Sequence, residues 1–306
     1  MTTFLYIAGR GHSGSTMIDG MLGNASGIES VGELVSGMGR YDALCSCGKT
    51  FRACGYWEMV RGRFENKSQV KWDIAVRCCV EQAHLKSFVK TVTATSDSAW
   101  VRKLKYYSVA IAEAIGDSNN KFVVDSSKEI TRALFLLRFV PGSKVIHLVR
   151  HPASILQSDY YRLVKGSGFK FLRRVFFPKK IFWPFLLLSC ISWITGNILV
   201  ELVRYFGRDR VLRVRYEDLI SSPKHEIERI EKFIDINLDS IKSKIINNIP
   251  FSIGHNIGGN HMRMSGSFIF DPSKSKRNGL PRKYRLMANI VCGPLLWVYG
   301  YRTLTE

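Results

Sequence analysis

The sequence has few acidic residues for its number of basic ones, with 25 aspartates and glutamates against 45 lysines and arginines. The resulting net charge of +20 is more than solubility requires. It favours an anionic partner, such as a phosphorylated ligand, an acidic acceptor or an anionic lipid surface. Nucleic acid is not expected as that partner, because no recognised nucleic-acid-binding module accompanies the charge.

We expect no secretory signal peptide, because the first predicted strand starts almost at once, and the sequence shows no internal repeat and no clean transmembrane run. The nearest candidate for a membrane span, residues 181–203, contains Pro184, Asn197 and Glu201, so we expect a buried amphipathic helix there. Without a signal peptide, the odd count of seven cysteines predicts thiols in a reducing, cytoplasmic compartment.

Length and composition are those of a folded protein. Apolar residues make up 46% of the 306 residues and aromatic residues 12%, which argues against disorder. No convincing linker divides the chain, so we expect a single domain over residues 1–306, with a cysteine-bearing flap at about 40–60 and a basic, aromatic insertion at about 165–185. The insertion suits an anionic membrane interface, and it suits a solvated basic face at least as well.

The most informative stretch lies near the N-terminus. Residues 4–8 are an apolar run typical of a buried strand, Gly9, Gly11 and Gly14 interrupt it, and apolar residues recur at helical spacing from Ser15 onwards. A strand, a glycine-rich turn and a helix start together direct free backbone N–H groups at an anion. The spacing is close to that of a Walker A loop, but Ser15 stands where an NTPase has its lysine. The loop therefore predicts a phosphate site for a ligand other than a nucleoside triphosphate.

Three further strands are predicted at residues 121–125, 144–149 and 210–215, and helical patterns separate them. This alternation predicts an α/β fold of three layers, P-loop-like, with a central parallel sheet flanked by helices. Ligands of such sheets bind beyond the carboxyl ends of the strands. The distinctive residues that follow the strands should therefore converge on one site, namely the Gly9 loop, residues 125–128, Arg150 and Tyr216.

Taken in chain order, the motifs resemble the PAPS-dependent sulfotransferase family, whose donor is 3′-phosphoadenosine 5′-phosphosulfate. Residues 11–17 (GHSGSTM) resemble its loop for the 5′-phosphosulfate, and residues 150–158 (RHPASILQS) resemble its 3′-phosphate motif. Residues 215–219 (RYEDL) are similar to a later strand end, and residues 258–263 (GGNHMR) to the segment that folds over the donor. The resemblance is to bacterial members, and more distantly to tyrosylprotein and carbohydrate sulfotransferases.

The resemblance implies a set of donor-binding residues and PAPS as co-substrate. For the 3′-phosphate, physical chemistry supports the same assignment. A phosphate is bound well by a bidentate cation together with a hydroxyl donor, and Arg150 and Ser158 could supply these groups. The full implied set is Arg10, Gly11, His12, Ser13, Gly14, Ser15, Thr16, Arg150, Ser158, Tyr216, Asn260 and Arg263.

Three side chains are candidates for catalysis. The acceptor hydroxyl must lose a proton, and the leaving phosphate must be stabilised. Glu33 matches the place of the catalytic glutamate in tyrosylprotein sulfotransferases and is the expected general base, while Lys128 matches a lysine near the transferring group. His12 replaces the arginine or lysine that many members carry in the loop, so it could donate to the sulfonate or act as the base itself.

Cys45, Cys47 and Cys54 have a Cys-x-Cys-x6-Cys spacing. Zinc needs a fourth ligand and none is adjacent in sequence, so no metal is expected. A local disulfide stays open, although the inferred compartment disfavours it. The resemblance to bacterial relatives suggests a structural flap near the acceptor site.

Two other function classes stay open. A P-loop kinase or NTPase would use Asp125 as a magnesium-binding residue, but it leaves Arg150 to Ser158 without a task. A non-catalytic anion- or membrane-binding protein would explain the charge but not Glu33 or Lys128. The acceptor is expected to be a glycan, a glycolipid or another hydroxylated biomolecule, and the protein to be cytoplasmic with possible peripheral contact to an anionic membrane.

Overall fold

The computed structural model describes residues 1–40, 42–117, 119–165, 182–275 and 279–301. Most of the predicted basic insertion, residues 166–181, therefore lies outside the described residues.

Five parallel strands form the central sheet of the described chain. The strands are β1 (Thr3–Gly9), β2 (Ile28–Ser30), β3 (Phe122–Lys128), β4 (Lys144–Val149) and β5 (Val211–Arg215), in the spatial order β2-β3-β1-β4-β5. Every neighbouring pair is parallel, so helical crossovers cover both faces. This confirms the predicted three-layer, P-loop-like α/β fold. Strand order reverses beside β1, which places a ligand crevice at the carboxyl end of that strand.

Helices connect and cover the strands. They are α1 (Ser15–Leu22), α2 (Leu34–Met38), α3 (Gly55–Ser68), α4 (Trp72–Ala83), α5 (Phe88–Thr93), α6 (Ala99–Gly116), α7 (Ile130–Phe139), α8 (Pro152–Lys165), α9 (Trp183–Gly207), α10 (Tyr216–Ser221), α11 (Pro223–Ile234), α12 (Asp239–Ile246) and α13 (Arg282–Val298). A short antiparallel hairpin of β6 (Phe251–Ser252) and β7 (Ser267–Phe268) lies in the long loop before α13. The sequence did not predict α3, because most of its residues are polar and few are buried.

The core explains why β1 reads as a continuous apolar run. Phe4 and Tyr6 point into the cluster on one face of the sheet, and Leu5 and Ile7 point into the cluster on the other. All four side chains are fully buried. A strand buried on both faces has no polar alternation, so the run itself is the sequence signal.

Helix α9 has Pro184 in its first turn and extends the predicted helix to Gly207. Its polar side chains face inward: Asn197 hydrogen-bonds the buried His147 of β4 at 2.9 Å, and Glu201 accepts from Arg213 of β5 at 2.7 Å. Its outward face is apolar and exposed at Trp183, Leu188, Ile191, Ile198, Leu202 and Tyr205. The helix is thus amphipathic but only partly buried, and it is the one described helix whose length and composition would allow a membrane crossing.

Candidate active site

The loop between β1 and α1 has two glycines at positions where a larger side chain would clash with neighbouring residues. Gly9 has φ +153°, and a Cβ there would lie 2.4 Å from the carbonyl oxygen of Leu148. Gly14 has φ +96°, and a Cβ there would lie 2.5 Å from the ring of Tyr216. Gly14 caps α1 without a side-chain hydrogen bond. The first N–H groups of a helix have no intrahelical partner and lie at the positive end of its dipole, so this turn favours an anion.

A cavity of about 510 Å³ opens beside this loop at the carboxyl ends of the strands. Its volume is within the range of roughly 300–1,000 Å³ that small-molecule sites occupy. All the predicted site residues line it except Arg10, Ser13 and Arg263. Those that line it are Gly11, His12, Gly14, Ser15, Thr16, Glu33, Lys128, Arg150, Ser158, Tyr216 and Asn260.

The three exceptions lie close behind the lining. Ser13 is buried in the loop, and its Oγ has no hydrogen-bond partner in the described part of the chain. The half-buried Arg10 has a buried Nε that likewise lacks one. Burial lowers the pKa of Arg263, which follows Asn260 in the 3-10 turn 261–265, and its neighbour Met262 lines the cavity instead.

Lys128 and Glu33 form an ion pair in the cavity wall. The ammonium of Lys128 also donates to the Oγ of Ser15 at 3.2 Å and to the carbonyl of Ser126 at 2.9 Å. Lys128 ends β3 with φ +68°, a left-handed conformation that turns its side chain toward the loop. Both side chains are mostly buried, 15% exposed for Lys128 and 20% for Glu33. The pair places a carboxylate and an ammonium beside the anion-binding turn.

The backbone of Glu33 is fixed by the C-terminal half of the chain. Its N–H donates to the carbonyl of Ile257 at 2.6 Å, and the N–H of Ile257 donates to Val31 at 2.9 Å. Gly32 has φ +76°, and a Cβ there would lie 2.5 Å from the Ile257 carbonyl oxygen. This close approach explains why a glycine precedes Glu33.

Arg150 lies at the end of β4 with spare donors toward the cavity. Its guanidinium donates to the carbonyl of His12 at 3.0 Å and stacks 4.1 Å from the ring centre of Tyr216. Its own carbonyl accepts from Trp193 at 3.0 Å, and its buried Nε has no partner among the described residues. Ser158 of α8 lines the same cavity. The structure thus brings Arg150 and Ser158, the predicted ligands of the 3′-phosphate, to one cavity.

His12 contacts α8, not the Glu33–Lys128 pair. Its Nε2 lies 3.3 Å from Arg162 and 3.7 Å from Asp159. Burial lowers the pKa of His12, and Arg162 adds to this against the opposing carboxylate of Asp159. A neutral His12 ring whose Nε2 accepts a hydrogen bond from Arg162 agrees with the 3.3 Å distance between them and with the lowered pKa of His12. The main chain here has φ +69° and presents the His12 carbonyl to Arg150.

The long loop before α13 closes one side of the cavity. The N–H of Asn260 donates to the Oγ1 of Thr16 at 3.1 Å, and Gly259 takes φ +86° beside Thr16 and Glu33. Six further residues line the cavity that were not among the predicted contacts. Met17, Gly259 and Met262 lie within the predicted donor motifs, whereas Phe268, Ile269 and Asp271 lie outside them. Most belong to a loop rich in glycine and serine, where no periodic signal marks which side chains point inward.

Asp125, the candidate magnesium residue of an NTPase, does not line this cavity. It is fully buried, and its Oδ1 accepts from the N–H groups of Leu34 at 3.3 Å and Ser127 at 2.9 Å. Burial raises the pKa of its carboxyl, with the hydrogen bonds from Ser127 opposing. Its observed task is to hold the start of α2 against β3, which gives no support to the kinase alternative.

The comparison with protein families agrees with this geometry. The sequence profile described as "Sulfotransferase family" matches residues 5–240, which include the loop, Glu33, Lys128, Arg150 and Tyr216. The chain belongs to the sulfotransferase family. Membership confirms the resemblance seen in the motifs, and the family is one of transferases.

Solved structures of other sulfotransferases share the fold. The sulfotransferase domain of the Synechococcus PCC 7002 olefin synthase superposes with a TM-score of 0.53 at 19% identity, over 99% of this chain and 98% of that domain. The sulfotransferase STF9 from Mycobacterium avium gives a TM-score of 0.52 at 11% identity, over 100% of this chain and 79% of that one. Among curated protein sequences nothing matches. At these identities the likeness extends to the fold alone.

Proposed function

We propose that this sulfotransferase moves a sulfuryl group from PAPS to a hydroxyl group of an acceptor. The observation that carries the proposal is the cavity at the strand ends, where the anion-binding turn, the Lys128–Glu33 pair and Arg150 meet. Anionic donor groups and a hydroxyl nucleophile require those three features together.

The residues fit a phosphosulfate donor. A Cβ at Gly11 would meet no atom of the described residues within 4 Å, so a ligand has room to approach the backbone there. Ser13 Oγ and Arg150 Nε are buried donors that lack partners in the described chain. We assign the 5′-phosphosulfate to the turn 10–16 and the 3′-phosphate to Arg150 and Ser158. The remaining assigned donor contacts are Tyr216, Asn260 and Arg263.

In the proposed reaction Glu33 accepts the proton of the acceptor hydroxyl. The oxygen–sulfur bond to the acceptor forms while the bond between sulfur and the phosphate oxygen breaks, and the electron pair of that bond stays on the phosphate. Lys128, held at Ser15 and Ser126, is placed to stabilise the charge that develops there. An in-line displacement of this kind needs chiefly positioning and charge stabilisation, as phosphoryl transfer does.

His12 has a separate role in this scheme. Its side chain is tied to α8 through Arg162, and its carbonyl orients Arg150. We therefore assign proton transfer to Glu33, and we assign His12 to holding the donor loop against α8 and orienting Arg150.

Calorimetric titration tests the donor assignment. Adenosine 3′,5′-bisphosphate, the product of the donor, should bind with 1:1 stoichiometry in the presence of EDTA, and ATP should bind at least tenfold more weakly. Preference for ATP with magnesium would overturn the sulfotransferase reaction and restore the kinase alternative.

The lining of the cavity is partly apolar. Met17, Met262, Phe268 and Ile269 line it together with the polar donor residues. This supports an acceptor that carries an apolar part next to its hydroxyl, such as a glycolipid, ahead of a free glycan. Incubation with sulfur-labelled PAPS and fractionated cell extract, followed by solvent partition, would show whether the label enters the lipid or the aqueous phase.

A membrane-proximal, cytoplasmic location is also proposed. The exposed faces of α9 and α13 are apolar, at Leu188 and Ile198 on the first helix and Ile290 and Trp297 on the second, and the chain carries a net charge of +20. The protein should co-sediment with vesicles containing phosphatidylserine. L188E/I198E should reduce the bound fraction, and Leu85→Glu, at an exposed leucine elsewhere, should not. Equal recovery of all three proteins with the vesicles would contradict this location.

A further inference from the structure

Three cysteines of the flap and one distant histidine meet at a single point. The sulfurs of Cys45, Cys47 and Cys54 and a ring nitrogen of His255 all lie within 4.8 Å of one another. The Cys47–Cys54 and Cys54–Cys45 sulfur distances are 3.6 and 3.8 Å. His255 Nδ1 lies 3.3 Å from the sulfur of Cys54 and 3.7 Å from that of Cys45.

These distances are those between the ligands of a tetrahedral zinc ion. Zinc–sulfur bonds of about 2.3 Å and zinc–nitrogen bonds of about 2.0–2.1 Å set tetrahedral ligand atoms about 3.8 Å apart for two sulfurs and about 3.6 Å apart for sulfur and nitrogen. We propose that Cys45, Cys47, Cys54 and His255 bind one structural Zn²⁺ through three thiolates and Nδ1. His255 is the fourth ligand that the sequence did not place.

The backbone folds Cys45 and Cys47 into one tight turn. The N–H of Cys45 donates to the carbonyl of Lys49 at 2.8 Å, and the N–H of Gly48 donates to the carbonyl of Cys45 at 2.9 Å. Gly48 allows this turn because its φ is +85°. The turn holds the sulfurs of Cys45 and Cys47 within 4.8 Å of each other, as two ligands of one ion require.

His255 is held in position by contacts of its own. Its ring stacks on that of Tyr56, with centres 4.7 Å apart and planes 5° from parallel. Its carbonyl accepts from the indole of Trp57 at 2.9 Å, and the hydroxyl of Tyr56 donates to Glu29 at 2.9 Å. The imidazole is therefore oriented toward the sulfurs by protein contacts, as the ligand of a formed site requires.

A disulfide would explain only two of the four converging side chains, whereas a metal ion explains all four. All three cysteines are free thiols, and a bridge between any two would leave the third sulfur and the imidazole facing it without a role. Cys45 and Cys54 are buried, whereas Cys47 is exposed and offers a route for the ion to enter. Four side chains from two distant segments converging on one point are what a closed structural zinc site provides.

The site would join the flap to the segment that closes the cavity. Ser46 and Asn256, each next to a ligand, exchange hydrogen bonds: the N–H of Ser46 donates to the Asn256 carbonyl at 2.9 Å, and the N–H of Asn256 donates to the Ser46 Oγ at 3.0 Å. Ile257, two residues after His255, accepts the hydrogen bond from the N–H of Glu33. Zinc would thereby fix the backbone of Glu33, although the metal site itself stands independently of the proposed reaction.

Metal uptake by the full chain tests the proposal. The reduced protein, stripped with a chelator, is titrated with Zn²⁺ in competition with a chromogenic chelator, and with Co²⁺ for its visible absorption. We expect one equivalent of tightly bound zinc and cobalt bands of tetrahedral thiolate type. Cys47→Ser, at the exposed ligand, and His255→Asn should each weaken zinc affinity by at least tenfold to a hundredfold, the order found when ligand shells are disturbed.

The control is Cys78→Ser, which changes a cysteine of α4 outside the cluster and should keep one equivalent of zinc with unchanged affinity. Circular dichroism at the same temperature shows whether each variant is folded. Zinc uptake by the wild type no greater than that of Cys47→Ser would overturn the proposal. So would peptide mapping that finds a disulfide among Cys45, Cys47 and Cys54 in protein prepared without reductant.

Discussion

Lys128 donates a hydrogen bond to the carboxylate of Glu33, although 95 positions separate the two residues along the chain. The contact joins the end of β3 to the start of α2 and lies directly beside Ser15 of the anion-binding turn. Each side chain fixes the other at the cavity wall, where both remain partly accessible. A proton acceptor and a cation for a leaving group are therefore preorganised as one unit.

Glu33→Gln should abolish most turnover while leaving donor-product binding intact. The amide keeps the size of the side chain and can still accept from Lys128, but it cannot take up the hydroxyl proton. We expect the rate to fall by roughly a hundredfold or more, as for loss of a general base. Affinity for adenosine 3′,5′-bisphosphate, measured by calorimetry, should stay within threefold. Glu58→Gln, at an exposed position of α3, is the matched control, and a rate near wild type in Glu33→Gln would remove Glu33 from the mechanism.

Arg150→Ala should weaken binding of adenosine 3′,5′-bisphosphate much more than binding of adenosine 5′-phosphate. The proposed contact is with the 3′-phosphate, and a charged hydrogen bond contributes about 1.5–3 kcal/mol, or roughly tenfold to a hundredfold in affinity. The wild type should therefore discriminate between the two nucleotides and the variant should not. Arg204→Ala, on an exposed arginine of α9, should behave as wild type. Discrimination that survives in Arg150→Ala would place the 3′-phosphate elsewhere.

Gly14→Ala and Gly11→Ala should separate folding from ligand binding. At Gly14 the new methyl would lie 2.5 Å from the Tyr216 ring at φ +96°, so we expect a loss of roughly 1–3 kcal/mol in the free energy of unfolding. At Gly11 the methyl meets no protein atom, so stability should be unchanged while affinity for adenosine 3′,5′-bisphosphate falls. Urea unfolding and calorimetry measure the two effects. Equal stability losses in the two variants would contradict this account of the loop.

His151 should make the free energy of unfolding fall as the pH is lowered from 6.5 towards 4. Burial, aided by Arg215, lowers the pKa of His151 from 6.5 to about 4, so the unfolded chain takes up a proton in this window and the folded chain does not. The contribution is fully present above pH 6.5. In the variant His151→Asn, the asparagine side chain can still accept the hydrogen bond from the N–H of Ala153, but it does not take up a proton in this pH range.

The corresponding measurement compares wild type with His151→Asn by urea unfolding at pH 7.5 and pH 5. The wild type should lose about 2 kcal/mol more than the variant over this range, since each pH unit within the window corresponds to about 1.36 kcal/mol. Parallel losses would show that His151 is not a source of acid lability.

The sequence predicted those parts of the fold whose pattern lies within one short stretch of the chain. Residues 4–8 are apolar on both faces, and the glycines that follow mark a turn, so strand, loop and helix start could be assigned from the nineteen consecutive residues 4–22. The same holds for the predicted strands 121–125, 144–149 and 210–215, although the first of them extends to Lys128 in the structure. Helix α3 escaped prediction because its buried side chains, Trp57, Val60 and Phe64, are sparse among polar ones.

Much of the cavity lining was accessible from sequence for a topological reason. Parallel strands bring their carboxyl ends to one edge, so residues that follow different strands, such as Lys128 and Arg150, must become neighbours. The pairing of Lys128 with Glu33 was not accessible, because it depends on the left-handed turn at Lys128 and on the backbone contact of Glu33 with Ile257. Neither leaves a pattern along the chain.

The sequence by itself determined four strands of the sheet, the anion-binding turn and the family, because strand runs, glycine positions and motif order can all be read along the chain. The tertiary structure decided the order of the strands and added β2. Only the tertiary structure decided which residues of the long loop before α13 face the cavity. It alone also brought His255 to the cysteines, over a separation of 201 residues from Cys54. The physical reason is that such contacts arise from how that loop packs across the sheet edge, and no periodicity or spacing in a glycine-rich segment specifies that packing.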